Sequence, residues 1–379
     1  MTVWKPASAA ARSTCGSLSI AVLLLACAPG SWAFSKIPED FPQHSSWADE
    51  VARDADTFGA FQEVMVIPVR VAGPAVAVAT GRRLSNKVAQ AGDAGGIAVI
   101  YPDIGEPYRS VFTQIIDGIA DKAKGRVSNF PVGPNVDVKA LQDSLRREDA
   151  RVVIALGRQG MKVARSLEND LGVVVGGVLS ASEEEVRSSL VNSLSPDPAL
   201  LFSRLKSMMP KARRIFTVYD PRQNEWLMRL ATEAAREQGI ELVTYPAQDL
   251  RAAMRAYQEI LAKADVEKDA LWLPQDSTTV EDSTVMPLLL QESWARNLTV
   301  FSSSFSHVRR GVLFSLYPDN VDLGRSLAGS ALSLLASGGN GSGLVPLREV
   351  LMAVNLRTAR HLGVNTSRLQ SFDMAFPEQ

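Results

Sequence analysis

Cysteine is almost missing from these 379 residues: there are two, Cys15 and Cys27, and histidine occurs three times, as His44, His307 and His361. A chain trimmed beyond Cys27 can form neither a disulfide nor a thiolate metal site, so its stability must come from packing. The three histidines are far apart and no H-E-x-x-H spacing occurs, which argues against a zinc hydrolase. An excess of one charge is missing too. Forty Lys and Arg stand against 41 Asp and Glu, a net charge of −1, and the electrostatic footprint of a nucleic-acid binder is absent. There is no Walker A sequence and no G-x-S-x-G elbow; Gly338-Gly339-Asn340-Gly341-Ser342-Gly343 lacks the Lys and Ser/Thr of a phosphate cradle and reads as a surface loop. The apolar stretch Val64 to Thr80 is broken by Pro68, Arg70 and Pro74 and fails as a membrane helix. No catalytic constellation, metal site or cofactor is expected.

What is present is enough apolar sequence for a core: 46% hydrophobic against 21% charged. Lys5 and Arg12 precede an apolar run from Leu18 to Ala26 that is too short to span a bilayer. Ser31-Trp32-Ala33 follows with the small side chains of a cleavage site, so residues 1–33 read as a signal peptide with a mature start at Phe34. Leu24-Leu25-Ala26-Cys27 also resembles a lipobox. The expected location is the periplasm, with the chain either released or lipid-anchored through Cys27. Residues 34–95 are poorly patterned and form an N-terminal extension.

From Ile97 onward, short β-branched runs alternate with amphipathic stretches of helical length, the pattern of βαβ units on a parallel sheet. A first set holds the strands Ile97–Tyr101, Val127–Phe130, Val152–Leu156 and Val173–Val175. The pattern pauses from Ser180 to Pro198. A second set follows with Ile215–Tyr219, Glu241–Tyr245, Ala270–Leu273 and Leu298–Phe301, including a helix from Asn224 to Gln238 stopped by Gly239. Later elements are a strand Val312–Leu316, a helix Val321–Leu335, a strand Val350–Val354 and a helix near Leu356–Leu362. Asp282 reads as a cap for the helix after it, and Glu183-Glu184-Glu185 as a solvated helix face.

Two α/β lobes in tandem with late crossovers resemble the type I periplasmic binding proteins. The nearer likeness is to the ABC transporter substrate-binding family, similar to its aromatic amino acid-binding members. It is carried by Met209-Pro210-Lys211-Ala212-Arg213-Arg214-Ile215-Phe216-Thr217-Val218-Tyr219-Asp220-Pro221 with Asn224, and by Asp269-Ala270-Leu271-Trp272-Leu273-Pro274-Gln275-Asp276. Gly311 to Tyr317 with Leu323-Gly324, and Val354-Asn355-Leu356 with Ala359 and Leu362-Gly363, add to it. The likeness spans about Gly96 to Val364. It implies two Rossmann-like lobes with parallel sheets joined by a hinge: 96–190 with 305–340 as lobe I, and 191–304 with 341–379 as lobe II. It implies a small-molecule ligand, an inner-membrane permease and its ATPase as partners, and no nucleic acid. Two features depart from the family: 62 residues, Phe34 to Gly95, precede the first strand, and Ser180-Ala181-Ser182-Glu183-Glu184-Glu185 replaces a connection that usually carries Asp-Pro and glycines.

A ligand is then expected in the cleft, at the carboxyl ends of the strands. Polar residues stand there: Tyr101 and Asp103, Arg158 and Gln159, Tyr219 and Asp220, Gln275 to Ser277, and Ser302 to Ser304 including Ser303. Asp276 matches the family's acidic position and either accepts a ligand ammonium or bonds nearby loop N–H groups. Asn224 either bonds a ligand carboxylate or caps its helix. Arg158 pairs with a ligand anion or lies on the surface. Tyr101, Tyr219 and Tyr317 stack on a ligand or form core edges with a wet hydroxyl. Gly157-Arg158-Gln159-Gly160 opens a helix after a strand, where free backbone N–H groups can bind an anion or carbonyl. Two functions fit: an exported solute-binding protein of an ABC-type transporter, or a sensory or scaffold module of the same fold acting with a kinase or envelope complex.

Overall fold

Alternating apolar runs and amphipathic segments build two sheets covered on both faces by helices. The structure, a computed structural model, describes residues 96–124, 127–167, 170–338, 341–364 and 372–377. The signal segment, both cysteines and the extension to residue 95 lie outside the described residues.

The first sheet contains β1 (Gly96–Pro102), β2 (Val127–Val132), β3 (Ala150–Leu156), β4 (Gly172–Val178), β5 (Leu190–Pro196) and β11 (Gly343–Leu347), in the order β11-β5-β4-β3-β1-β2. Every pairing is parallel. Strands buried on both faces need apolar side chains in both directions, which explains the unbroken run Val152-Val153-Ile154-Ala155-Leu156. Ile97, Val99, Val152 and Ile154 face α1 (Tyr108–Ala123) and α10 (Asn320–Ala336). Ala98, Ile100, Val153 and Ala155 face α2 (Val138–Arg147) and α3 (Gly157–Ala164). On the α1 side, α1 and α10 touch backbone to backbone. A Cβ on Gly324 would sit 2.0 Å from the Ile115 carbonyl oxygen, and one on Gly118 2.0 Å from that of Val321.

The second sheet contains β6 (Arg214–Tyr219), β7 (Glu241–Pro246), β8 (Asp269–Leu273), β9 (Thr299–Ser302), β10 (Phe314–Pro318), β12 (Val350–Asn355) and β13 (Met374–Phe376), in the order β13-β12-β10-β9-β8-β6-β7. Its pairings are parallel except β10 with β12, which is antiparallel. One face packs on α5 (Pro198–Met208) and α6 (Pro221–Glu237), the other on α7 (Leu250–Lys263) and α8 (Val285–Arg296). An aromatic chain fixes the first face. Phe202 stands edge-on to Trp272 at 5.4 Å and to Phe301 at 6.3 Å, and Phe301 stacks on Phe314 at 5.2 Å.

Three details differ from the sequence reading. The pause at 180–198 holds α4 (Glu183–Ser188), closed by a capping box between Ser182 and Glu185, and then β5. The polar run Leu190-Val191-Asn192-Ser193-Leu194-Ser195 hides this strand because its buried serines are satisfied by hydrogen bonds, Ser193 Oγ donating to Leu179 O at 2.5 Å. Helix α6 starts three residues earlier than expected: Asp220 caps it and Pro221 opens it, so Asn224 lies inside the helix and caps nothing. Asp282 does not cap α8; Glu281 receives the Ser283 and Thr284 N–H groups at 2.8 and 2.6 Å.

The chain passes between sheets three times: at Pro196-Asp197 from β5 to α5, at Pro318-Asp319 from β10 to α10, and at Leu347 to Val350 from β11 to β12. These crossings replace the exchange points at 190/191, 304/305 and 340/341 drawn from the sequence, because β5 pairs with β4 and β10 with β12. The first two crossings share one design: a proline, which offers no N–H, then an aspartate that caps the next helix. The third runs between them. Asp197 N–H donates to Leu347 O at 2.8 Å and Asp319 N–H to Glu349 O at 3.0 Å, while Arg348 Nε reaches Asp197 Oδ2 at 2.9 Å.

Candidate functional site

The crossings determine which surfaces can meet. The first leaves one sheet at the carboxyl end of β5 and the second leaves the other at the carboxyl end of β10, so the carboxyl edges of both sheets adjoin the same hinge. Open α/β sheets present their ligand-binding loops at that edge.

On the second sheet the edge is buried and internally bonded. Asp276 follows β8, and its Oδ2 accepts the Asp220 N–H at 2.6 Å and the Asn224 amide at 3.0 Å. Its Oδ1 accepts the N–H groups of Thr278 and Thr279, both at 3.0 Å. A carboxylate has about four lone-pair positions, and all are filled. Asp276 thereby ties the ends of β6 and β8 and the start of α6 together. The Asn224 amide also donates to the Gln275 carbonyl, at 3.4 Å. Asp220, fully buried, caps α6 and takes the guanidinium of Arg222, Nη2 at 2.5 Å, which holds its carboxyl below the ordinary range. Arg222 also donates to Gln248 O at 2.9 Å. Ser303 Oγ accepts the Trp272 indole N–H at 2.9 Å. Ser277 is exposed.

Two of the candidate tyrosines are buried. Tyr219 packs in the core, and its hydroxyl donates to Glu225 at 3.0 Å. Burial, with Glu225 adding, pushes its pKa up to about 12. Tyr317, at the second crossing, lies edge-on to Phe305 at 5.0 Å within a cluster that includes Val308 and Ala353; burial raises its pKa, and Asp373 and Asp319 add to the effect.

Next to this edge is a buried histidine that the sequence did not mark as part of the site. His307, on the short helix α9 (Phe305–Arg310), is hydrogen-bonded through Nδ1 to Ser302 Oγ at 2.8 Å. Its Nε2 is 3.7 Å from Asp282 Oδ1 and has no hydrogen bond. Burial, aided by Arg310, pushes its pKa down to about 3. Arg310 also holds Asp282 at 2.5 Å. The spacing Ser302-x-x-x-x-His307 after a strand was the available signal, but without the register of β8 and β9 nothing set it apart from a core histidine.

The first sheet presents a different edge. Tyr101 is half-buried and its pKa is raised by burial, with Asp103 adding; Asp103 itself is exposed. Gln159 Nε2 donates to Val132 O at 3.0 Å. Arg158 donates to Ser180 O at 2.6 Å and lies 3.6 Å from Glu185, on the surface. Helix α3 opens at Gly157, in the left-handed region at φ 71°, with no side chain capping its first turn. The structure thus brings Asp220, Asn224, Asp276 and Ser303 into one buried group, and Tyr101, Asp103, Arg158 and Gln159 onto one open edge. Among the described residues no three His, Cys, Asp or Glu side chains gather as a metal site, and no helix is long and apolar enough to cross a membrane.

Two helix-covered sheets crossed three times have the architecture of type I periplasmic binding proteins. The family model described as ABC transporter substrate binding protein matches residues 135–369, and the chain belongs to that family. No curated protein matches. Among solved structures, the chain is similar to the ligand-free, open form of a substrate binding protein with adhesive properties from Clostridium difficile. Identity there is 14%, the TM-score is 0.50, and 74% of this chain and 98% of that one are covered. It is also similar to an ABC domain in complex with L-Trp from Streptococcus pneumoniae, with 15% identity, a TM-score of 0.45, and 75% and 100% covered. A periplasmic ribose ABC transporter protein from Conexibacter woesei matches with 15% identity, a TM-score of 0.43, and 74% and 100% covered. At these identities the likeness is one of fold.

Proposed function

We propose that this chain is an exported solute receptor of an ABC-type transporter, taking a small polar molecule between its lobes and offering the closed form to a membrane permease and its ATPase. The observation that carries the reading is the junction of two carboxyl edges at a three-strand hinge. A ligand touching both edges favours the shut state by its extra contacts, and that population shift is the signal a permease can recognise. Membership of a substrate-binding family supports a binding role over a catalytic one.

The test is a thermal-shift screen of the full chain against amino acids, small carboxylates and sugars. A compound bound by the native form alone raises Tm, by about 2.7 kcal/mol of added stability at a hundred times Kd. At least one compound should do so, and small-angle scattering should show the protein becoming more compact with it. A screen without a single shift overturns the reading.

A further inference from the structure

We infer that Gln275 is the specificity-determining residue of the second lobe, and that it selects a ligand presenting an uncharged hydrogen-bonding group, a hydroxyl or an amide. This rests on the solute-receptor reading and names the ligand chemistry of the same cleft. Gln275 directly follows Pro274 at the carboxyl end of β8, the central strand of the parallel run β10-β9-β8-β6-β7. It is 7% exposed. Its backbone carbonyl accepts the Asn224 amide, so the main chain at this point is fixed. The carboxamide oxygen is not: Oε1 is shut off from solvent and meets no donor. A buried carbonyl oxygen without a donor is costly, and an outside partner that donates to it removes the cost.

The neighbours sharpen the inference by having nothing left to offer. Both oxygens of Asp276 are filled by four donors. Asp220 is matched by Arg222, Asp282 by Arg310, and Ser303 by the Trp272 indole. Asp220 and Asp282 each hold an arginine, and the oxygens of Asp276 are filled by N–H donors, so a charged ligand group would lose water there and find no free carboxylate oxygen to bond. A neutral group meets no such penalty. A carboxamide is both donor and acceptor, and a hydroxyl or amide can answer either end of it.

The experiment compares the full-length wild type with Gln275→Met, which keeps the length of the side chain and removes its polar atoms, by thermal shift and calorimetric titration. The probes are D-ribose, L-rhamnose and nicotinamide as uncharged compounds, and phosphate, citrate and spermidine as charged ones. The expected result is an uncharged probe that shifts the wild type, at least about tenfold weaker binding of that probe by Gln275→Met, and a ligand-free Tm of the variant equal to or above wild type, because an unpaired polar group has been removed. A lower ligand-free Tm would mean that the amide serves the fold, and overturns the inference. So does equal affinity of the two proteins for the same probe, or a wild type that answers to charged probes alone; in both cases the receptor reading survives. A wild type that answers to nothing, in this set or in the wider screen, overturns both.

Discussion

The two carboxyl edges that meet at the hinge are built in opposite ways. On the second sheet, Asp220, Asn224, Asp276 and Ser303 are buried and bonded to one another or to nearby N–H groups. On the first, Asp103 and Arg158 are exposed, and Arg158 is held by a carbonyl and a longer ion pair at the surface. A polar group in a dry network fixes geometry, whereas one in water can rearrange at little cost. The second edge is therefore the more rigid of the two and the first the more adaptable.

The strongest way to break this contrast is Asp276→Ala. It strands the Asp220, Thr278 and Thr279 N–H groups and the Asn224 amide, and should cost about 3–5 kcal/mol in urea unfolding. A cost below about 1 kcal/mol would mean that the network is not what orders this edge. The next effect tests whether the first lobe is rigid away from its edge. Gly324→Ala drives a methyl into the Ile115 carbonyl, and should destabilise by about 1–3 kcal/mol, read as a fall in Tm.

Acid should act on the second lobe through His307. Its folded pKa lies near 3, well below the 6.5 of the free side chain, so the unfolded chain binds the proton more readily. Stability from keeping this ring neutral is whole above pH 6.5 and is lost progressively as pH falls from there toward 3, by up to about 1.4 kcal/mol per pH unit. His307→Gln should flatten the fall in stability between pH 6.5 and 4, and an unchanged slope would show that the ring has little part in it. Smallest of all, Arg158→Ala should change stability by less than about 1 kcal/mol, since its ion pair is exposed; a larger loss would make the first edge as ordered as the second.

The sequence showed the lobes more clearly than the site. The apolar runs at 97–101, 152–156, 215–219 and 270–273 could only be buried parallel strands, and each is one. β5 was missed because Asn192, Ser193 and Ser195 look like loop residues until their hydrogen bonds are seen. Asp276 could be placed at a strand end from sequence, but the number of donors around it could not. Three of those four donors are main-chain N–H groups, which carry no sequence signature, and the fourth, Asn224, comes from 52 residues away.

Composition and periodicity by themselves determined that this is an α/β chain with two successive sets of strands and helices, because burial dictates residue type wherever a strand is covered on both faces. Tertiary structure alone decided where the chain exchanges sheets and which polar side chains remain free. Hydrogen-bond satisfaction depends on neighbours brought together across dozens of residues, and a side chain's type does not reveal whether those neighbours have already filled it.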